Sequence, residues 1–315
     1  MRRRDFVTLI GGAAIAWPLA ARAQAPGEAP PRVGLLLGGP AADSEGWLRP
    51  GRDIALIVGG PRPDGTVEQA AAELANDGAA VLVGASAREV RALTQAAPDR
   101  PVVMVAVGDP VGAGLVASLE RPGGNVTGLS DFRPDFADRR LRLLQEFPPG
   151  LRAVGFLHNP DAPTARLTFD AADRLQIRIV AMRARTPSEI AVALSADASA
   201  SMDALSAAPY PGSYAARREI GRWAAARGLP VLFGYADFMD LPADVAGLAS
   251  FGANLAELYR RAADYVAQIL RGTRPGDLPV GRPREGQLIV NLAAARRLRI
   301  EVPDDVLRRA DAIIR

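Results

Sequence analysis

Short apolar segments alternate with amphipathic segments along most of the chain from residue 32 to about residue 250. Each apolar segment is bounded by Gly, Pro, Asp or Asn, as buried parallel strands are. The predicted strands are Val33–Leu37, Ile54–Val58, Ala80–Val83, Val102–Val105, Ala153–Leu157, Ile177–Ala181, Ala204–Ser206, Val231–Phe233 and Gly247–Ser250. The predicted helices are Thr66–Asn76, Ala87–Ala97, Asp135–Glu146, Ala162–Leu175, Ser188–Ser195, Tyr214–Arg227 and Asn254–Arg271, with Asp64 and Ser188 as candidate N-caps. Sustained alternation of this kind predicts an α/β fold with mostly parallel sheets.

The alternation falls into two runs, which predict two lobes. Lobe 1 is expected over residues 32–128 plus about 251–285, and lobe 2 over residues 129–250 plus about 286–315. The Gly-rich segment 120–130 is interpreted as a chain crossing, and Pro275–Pro283 as extended and polar. The tail Leu288–Arg315 is expected to hold one strand and two short helices. Because segments near the C-terminus are assigned back to lobe 1 and then to lobe 2, the chain is expected to cross between the lobes several times, at a hinge.

The connection after the first predicted strand lacks the expected helix. Residues 40–51 contain Pro50, Gly46 and Gly51 but no convincing helix, whereas a parallel crossover of a dozen or more residues is usually helical. We expect Trp47 to fold onto the sheet face that a helix would otherwise cover, or else that face to be an interaction surface.

The first 23 residues have the pattern of a secretory signal peptide. A basic start, a modest apolar stretch and the small-residue site Ala21-Arg22-Ala23 predict cleavage after Ala23. The pair Arg3-Arg4 fits the twin-arginine type. An amphipathic helix or a retained membrane anchor is the alternative. Residues 24–31 are Pro-rich and are interpreted as a linker. We therefore expect a mature protein that is free in the periplasm.

Composition narrows the possible chemistry. The full chain carries 38 basic and 35 acidic residues, but residues 1–23 hold four arginines and one aspartate, so cleavage makes the two numbers equal. A neutral mature chain offers no basic surface for nucleic acid. There is no cysteine, no lysine and a single histidine, His158. Disulfides, thiolate catalysis, a Schiff-base lysine and a multi-histidine metal site are excluded, and we expect no cofactor.

The loops that follow the predicted strands hold the candidate ligand-binding residues. Ligands of open α/β sheets bind outside the carboxyl ends of the strands. These loops supply hydroxyl, amide, carboxylate and aromatic groups, suited to a small molecule with a charged head and an apolar part. The candidates are Ser86, Asp109, Ser130, Asn159, Tyr210, Tyr235, Asp237 and Asn254. The alternative for the small polar residues is that they only cap helices.

Two other segments offer a catalytic or cofactor-binding interpretation. The segment from Gly112 to Ala117 fits a dinucleotide-binding spacing but does not lie in the first strand–helix unit, so it is better interpreted as a tight loop. Ser130 and His158 with an aspartate could form a triad, but no nucleophile elbow is present. We expect the protein not to be an enzyme.

Several longer segments resemble one bacterial family. They are Val107–Val111, Gly114–Gly128, Arg3–Phe6, Trp17–Ala23, Leu288–Ala295 and Asp304–Ile314. The family is the substrate-binding proteins of ABC transporters related to receptors for tryptophan and other aromatic amino acids. The resemblance implies a two-lobed periplasmic-binding fold of the leucine/isoleucine/valine-receptor type, in which each lobe is a mostly parallel sheet flanked by helices. Two departures are the short segment 40–51 and Gly84-Ala85-Ser86 in place of a Gly-Thr-Pro loop.

The resemblance implies a solute-binding component of an ABC importer. Such a protein would close by hinge bending around a small, aromatic or apolar, amino-acid-like ligand between its lobes. Its partners would be this ligand and an ABC permease in the inner membrane, and we expect a monomer. Tyr210 and Tyr235 stand where the family often carries aromatic residues. A solute-sensing role, or a diverged copy that no longer takes part in transport, is the alternative function.

Overall fold

The computed structural model describes residues 31–36, 55–60, 65–147, 150–162, 164–195, 202–239, 241–242, 245 and 247–315. The predicted signal peptide, most of the linker, the Trp47 plug and the Asp64 cap lie outside these residues. The chain divides into two compact units. Unit 1 runs up to Asp131 and includes Ala256–Pro283, and unit 2 comprises Phe132–Leu255 and Arg284–Arg315.

Strands and helices alternate through the described residues. The strands are β1 (Arg32–Leu36), β2 (Ala55–Gly59), β3 (Val81–Gly84), β4 (Val102–Met104), β5 (Val126–Gly128), β6 (Ala153–His158), β7 (Arg178–Arg183), β8 (Ala204–Ala207), β9 (Val231–Phe233), β10 (Ala249–Gly252), β11 (Gln287–Asn291) and β12 (Ala312–Ile314). The helices are α1 (Val67–Asn76), α2 (Ala87–Ala96), α3 (Asp135–Glu146), α4 (Ala165–Arg174), α5 (Pro187–Ser195), α6 (Pro211–Ala215), α7 (Arg217–Ala226), α8 (Leu255–Leu270), α9 (Leu292–Leu298) and α10 (Asp304–Arg309). Two 3-10 segments are Ala236–Met239 and Pro275–Asp277.

Local hydrogen bonds explain where several helices begin. Thr66 and Gln69 form a capping box at the start of α1, with each side chain bonded to the other residue's backbone amide. Ser86 caps α2, and the buried Asn291 caps α9. The predicted cap Ser188 is wrong, because α5 already begins at Pro187 and the amide of Glu189 is bonded to Thr186 instead.

Unit 1 is built on a fully parallel sheet with strand order β2-β1-β3-β4-β5. Its core includes Leu74 of α1, Leu93 of α2 and Met104 of β4, all nearly inaccessible to solvent. The interpretation of residues 120–130 as only a crossing is wrong, since Val126–Gly128 pairs with β4 as the last strand. This strand is short and its apolar pattern is interrupted by Thr127, so periodicity alone does not reveal it.

The segment after α8 returns to β5 and completes unit 1. The Thr127 hydroxyl donates to the Leu278 carbonyl over 2.6 Å, and the Gly281 amide donates to Gly128 over 2.9 Å. Leu278 and Val280 are buried. The prediction of a merely extended, polar Pro275–Pro283 is therefore wrong, because the segment contains a 3-10 turn and buries apolar side chains.

Unit 2 is built on a sheet with strand order β12-β11-β10-β9-β8-β6-β7. All neighbouring pairs are parallel except β10 with β11. The tail holds a second strand, β12, which the sequence analysis missed. Strand β7 is partly exposed because it lies at the sheet edge. The prediction of an α/β fold with mostly parallel sheets and flanking helices is confirmed.

Two helix boundaries in unit 2 differ from the prediction. The predicted helix Tyr214–Arg227 is two helices, α6 and α7, which meet at Ala216. Helix α4 begins at Ala165 rather than at Ala162. Among the described residues, no helix combines the length and apolar character needed to cross a membrane.

Candidate functional site

Within each unit, neighbouring parallel strands end in register. In unit 1, Gly84, Met104 and Gly128 are paired across β3, β4 and β5. In unit 2, the pairing runs from Leu157 to Ala207, from Ala207 to Phe233 and from Phe233 to Ser250. Each sheet therefore gathers the loops after adjacent strands at one edge, which is where ligands of such sheets bind.

Ser86 follows β3 and caps α2. Its oxygen accepts the amide of Glu89 over 3.3 Å, and the Ala85 amide donates to the Glu89 carboxylate over 2.6 Å. Glu89 is buried, at 3% exposure. One amide at this helix start is thus already bonded to the protein's own carboxylate, which leaves fewer free amides there for a ligand carboxylate.

Asp109 lies in the loop after β4 and is half-buried. Its Oδ1 accepts the amide of Gly112 over 2.8 Å, which closes a tight turn. A Cβ atom at position 112 would lie 2.2 Å from the second carboxylate oxygen of Asp109, so a larger residue there would require the Asp109 side chain to shift. Asp109 therefore shapes its own loop, and its charge stands at the strand-end edge of unit 1.

Ser130 follows β5 and is almost fully buried, at 1% exposure. Its hydroxyl donates to the Gly108 carbonyl over 2.9 Å, and its amide donates to Gly281 over 2.9 Å. Since Gly108 precedes Asp109, this hydroxyl links the loop after β5 to the loop after β4. Ser130 holds the neighbouring candidate residue in place.

His158 is the last residue of β6 in unit 2, and Asn159 directly follows the strand. The Oδ1 atom of half-buried Asn159 accepts the amide of Asp161 over 3.0 Å. The His158 ring stacks on Phe156 with centroids 4.8 Å apart and meets Phe169 edge-on at 5.5 Å. Its Nδ1 lies 3.2 Å from the Asn159 carbonyl. Burial among these rings lowers the pKa of His158.

Tyr210 follows β8 and precedes α6. Its hydroxyl donates to the Ala184 carbonyl over 2.7 Å, and Ala184 in turn donates its amide to the His158 carbonyl. Burial, together with the nearby charge of Glu189, raises the pKa of the Tyr210 hydroxyl. The ring is thus held at the end of the sheet by a bond to its polar tip.

Tyr235 and Asp237 lie in the loop after β9. Tyr235 is 9% exposed and meets Phe238 edge-on, with centroids 6.0 Å apart. Phe238 also contacts Phe233 at 5.2 Å and Tyr214 at 5.4 Å. Asp237 is half-buried on the 3-10 turn next to this cluster. Much of the Tyr235 ring is therefore engaged in core packing.

Asn254 is half-buried in the loop after β10, directly before α8. Two residues that the sequence analysis missed hold this loop. Phe251 is buried and meets Phe136 of α3 edge-on at 5.4 Å. Arg140 donates from Nε to the Phe251 carbonyl over 2.7 Å. Helical periodicity could have indicated Arg140, because it lies four residues from Phe136 and from Leu144, which are both buried on α3.

Among the described residues, Ser130 and His158 are not hydrogen-bonded to each other. The Ser130 hydroxyl is bonded to a carbonyl, and the buried Nε2 of His158 makes no hydrogen bond to any described residue. No group of three or more potential metal ligands occurs among the residues that the structure describes. What the two edges offer is hydrogen-bonding groups, carboxylates and aromatic rings, which suit reversible binding of a small molecule.

Comparison with known proteins gives a family match. The model of the family described as ABC transporter substrate binding protein matches residues 62–314. A tyrosine-binding protein of Clostridioides difficile (strain R20291) is 27% identical over 230 residues, which are 72% of this chain and 65% of that protein. The chain thus spans just under two thirds of the length of that relative.

Solved structures show the same fold. A conserved domain protein of Vibrio cholerae O1 biovar El Tor is 27% identical with a TM-score of 0.79, covering 91% of this chain and 100% of that one. The ABC domain of Streptococcus pneumoniae in complex with L-Trp has the same TM-score of 0.79 at 23% identity, covering 90% of this chain and 100% of that one.

Proposed function

Since the chain belongs to the ABC transporter substrate-binding protein family, we propose that it serves an importer, binding its solute in the periplasm and delivering it to a permease of the inner membrane. The family match over residues 62–314 carries this proposal. The family is one of substrate-binding, non-catalytic proteins, and we propose that this member has no catalytic activity either.

We further propose that the ligand is an aromatic or apolar amino acid. The tyrosine-binding relative supports this class, as do Tyr210 and Tyr235 at adjacent strand ends of unit 2. The proposed ligand-binding residues are Ser86, Asp109, Ser130, Asn159, Tyr210, Tyr235, Asp237 and Asn254. Carboxylates such as Asp109 would bind the ammonium group, and the aromatic rings would contact the apolar side chain.

Calorimetry with L-tyrosine, L-tryptophan and L-leucine tests the ligand class, and Asp109→Asn tests the site. Asparagine keeps an oxygen that can accept the Gly112 amide but removes the charge. If Asp109 binds an ammonium group, the affinity should fall roughly tenfold to a hundredfold. Asp99→Asn is the matched control, because exposed Asp99 precedes β4 whereas Asp109 follows it. Equal affinities for the two variants would reduce Asp109 to a turn residue.

Uptake distinguishes import from the alternative of solute sensing. Deleting the gene should abolish uptake of the labelled amino acid that the purified protein binds. Unchanged uptake with intact binding would favour a sensing role.

A further inference from the structure

We propose that Arg140 is a positioning residue that holds together the loops after β9 and β10, and thereby the ligand-contacting residues Tyr235, Asp237 and Asn254. The inference rests on the proposed function for its consequence for binding. Its structural part stands on contacts within unit 2.

The guanidinium of Arg140 reaches the ends of two neighbouring strands. Its Nε donates to the Phe251 carbonyl over 2.7 Å, and its Nη2 donates to the Gly234 carbonyl over 3.3 Å. Gly234 directly follows β9, and Phe251 lies near the end of β10. The planar guanidinium can serve two acceptors at once because its donors have a fixed fork geometry.

The two hydrogen bonds of Arg140, called the Arg140 bridge below, lie just beyond the last paired residues of β9 and β10. The last pair between β9 and β10 is Phe233 with Ser250. Beyond it the two backbones remain in close contact, since a Cβ atom on Gly252 would lie only 1.8 Å from the Gly234 oxygen. Among the described residues, no strand pair joins β9 and β10 past this point, and the two hydrogen bonds of Arg140 connect the two backbones there instead.

Neighbouring contacts hold Arg140 against the strand ends. Helix α3 packs Phe136 edge-on against Phe251 at 5.4 Å, and the guanidinium of Arg139 lies 4.6 Å from the centre of the Phe251 ring. The Phe251 ring also fills the space beside Gly286, where a Cβ atom would approach it to 2.4 Å. Helix α3 therefore packs directly against the end of β10, and the Arg140 bond to Gly234 also connects this helix to the end of β9.

The bridged carbonyls lie directly before candidate ligand contacts. Tyr235 is the residue after Gly234, and Asn254 is three residues after Phe251. If the Arg140 bridge is lost, both loops become more mobile. Ligand binding must then order them at a cost in conformational entropy, so the affinity for the ligand falls. Arg140 thus acts on the ligand through the backbone of other residues.

Hydrogen exchange of the ligand-free protein tests the structural part. In Arg140→Gln, peptides covering residues 234–239 and 251–255 should exchange at least about tenfold faster, with β6 and β8 unchanged. Arg140→Lys should restore protection in one of the two loops, because an ammonium group can replace one of the two bonds. Arg142→Gln is the matched control, since this exposed arginine of the same helix pairs with Asp138. Unchanged exchange, or equal acceleration throughout the sheet, would overturn the proposal.

Calorimetry with L-tyrosine and L-tryptophan tests the consequence. Arg140→Gln should bind at least about tenfold more weakly than wild type, whereas Arg142→Gln should bind equally well. If Arg140→Gln does not fold, Arg140→Lys decides, with faster exchange in one loop and weaker binding expected. Looser loops with unchanged affinity would overturn the positioning role. A wild-type protein that binds neither amino acid would refute the proposed ligand class instead, because the exchange comparison needs no ligand.

Discussion

His158 shows how one buried side chain makes stability depend on pH. The ring is 4% exposed, lies against Phe156 and Phe169, and has no partner for Nε2 among the described residues. Arg183 of β7, in register with His158, adds a repulsive positive charge. Burial and this charge both disfavour the protonated ring, so the pKa of His158 is lowered in the folded state.

Acidification should therefore destabilise the protein through His158. Above the unfolded-state pKa of about 6.5, both states are neutral and the full stability is present. As the pH falls below that value, the unfolded chain takes up a proton before the folded one does, so the free energy of unfolding decreases until the lower folded pKa is reached. Denaturant titrations at pH 7.5 and 5.0 should show a larger loss for wild type than for His158→Phe.

The single histidine also allows a direct check. In protein without a histidine tag, one imidazole NMR signal should titrate with a pKa below the ordinary value of about 6.5. A normal or raised pKa would contradict the assignment of burial as the dominant cause.

At the scale of elements, β5 shows how a weak strand is held in place. It has only three residues and is paired with β4 on one side. On the other side the returning segment bonds to it through Leu278 and Gly281. Gly128 closes this arrangement with a φ of +131°, and a Cβ atom there would lie 2.1 Å from the Met104 carbonyl oxygen. The close approach to β4 requires glycine.

Gly128→Ala should lower the free energy of unfolding by at least about 2 kcal/mol, since backbone strain adds to a clash with a neighbouring strand. Gly124→Ala is the control in the same segment, because it has open space and no positive φ. Its effect should stay below about 1 kcal/mol. Urea denaturation measures both, and equal effects would show that the close contact with Met104 is readily relieved.

At the scale of the whole molecule, the proposed role depends on export. Residues 1–30 lie outside the described part of the chain, so the signal peptide stays a prediction from sequence. Residues 24–315 hold equal numbers of acidic and basic side chains, and several of their strands end in polar loops, which supports the proposed binding of a small molecule.

Replacing both Arg3 and Arg4 by lysine should leave uncleaved precursor in the cytoplasm, because the twin-arginine route requires the pair. Arg2→Lys keeps the pair and serves as the control. Fractionation with immunoblotting detects precursor and mature forms. Normal processing of the double variant would argue against this route but not against secretion itself.

Local and periodic features of this protein were set by the sequence alone. Apolar runs bounded by turn residues predicted most strands, and Ser86 proved to cap α2, because these properties depend on residues that are close in the chain. The positions of the loops that follow the strands were predicted from the same apolar runs. Only the tertiary structure decided the pairing of β5 with β4, the Ser130 bond to Gly108 and the reach of Arg140 to Gly234. Each of these three contacts joins residues that are distant in the chain. Such contacts depend on how the elements pack in three dimensions, which a local sequence pattern does not determine.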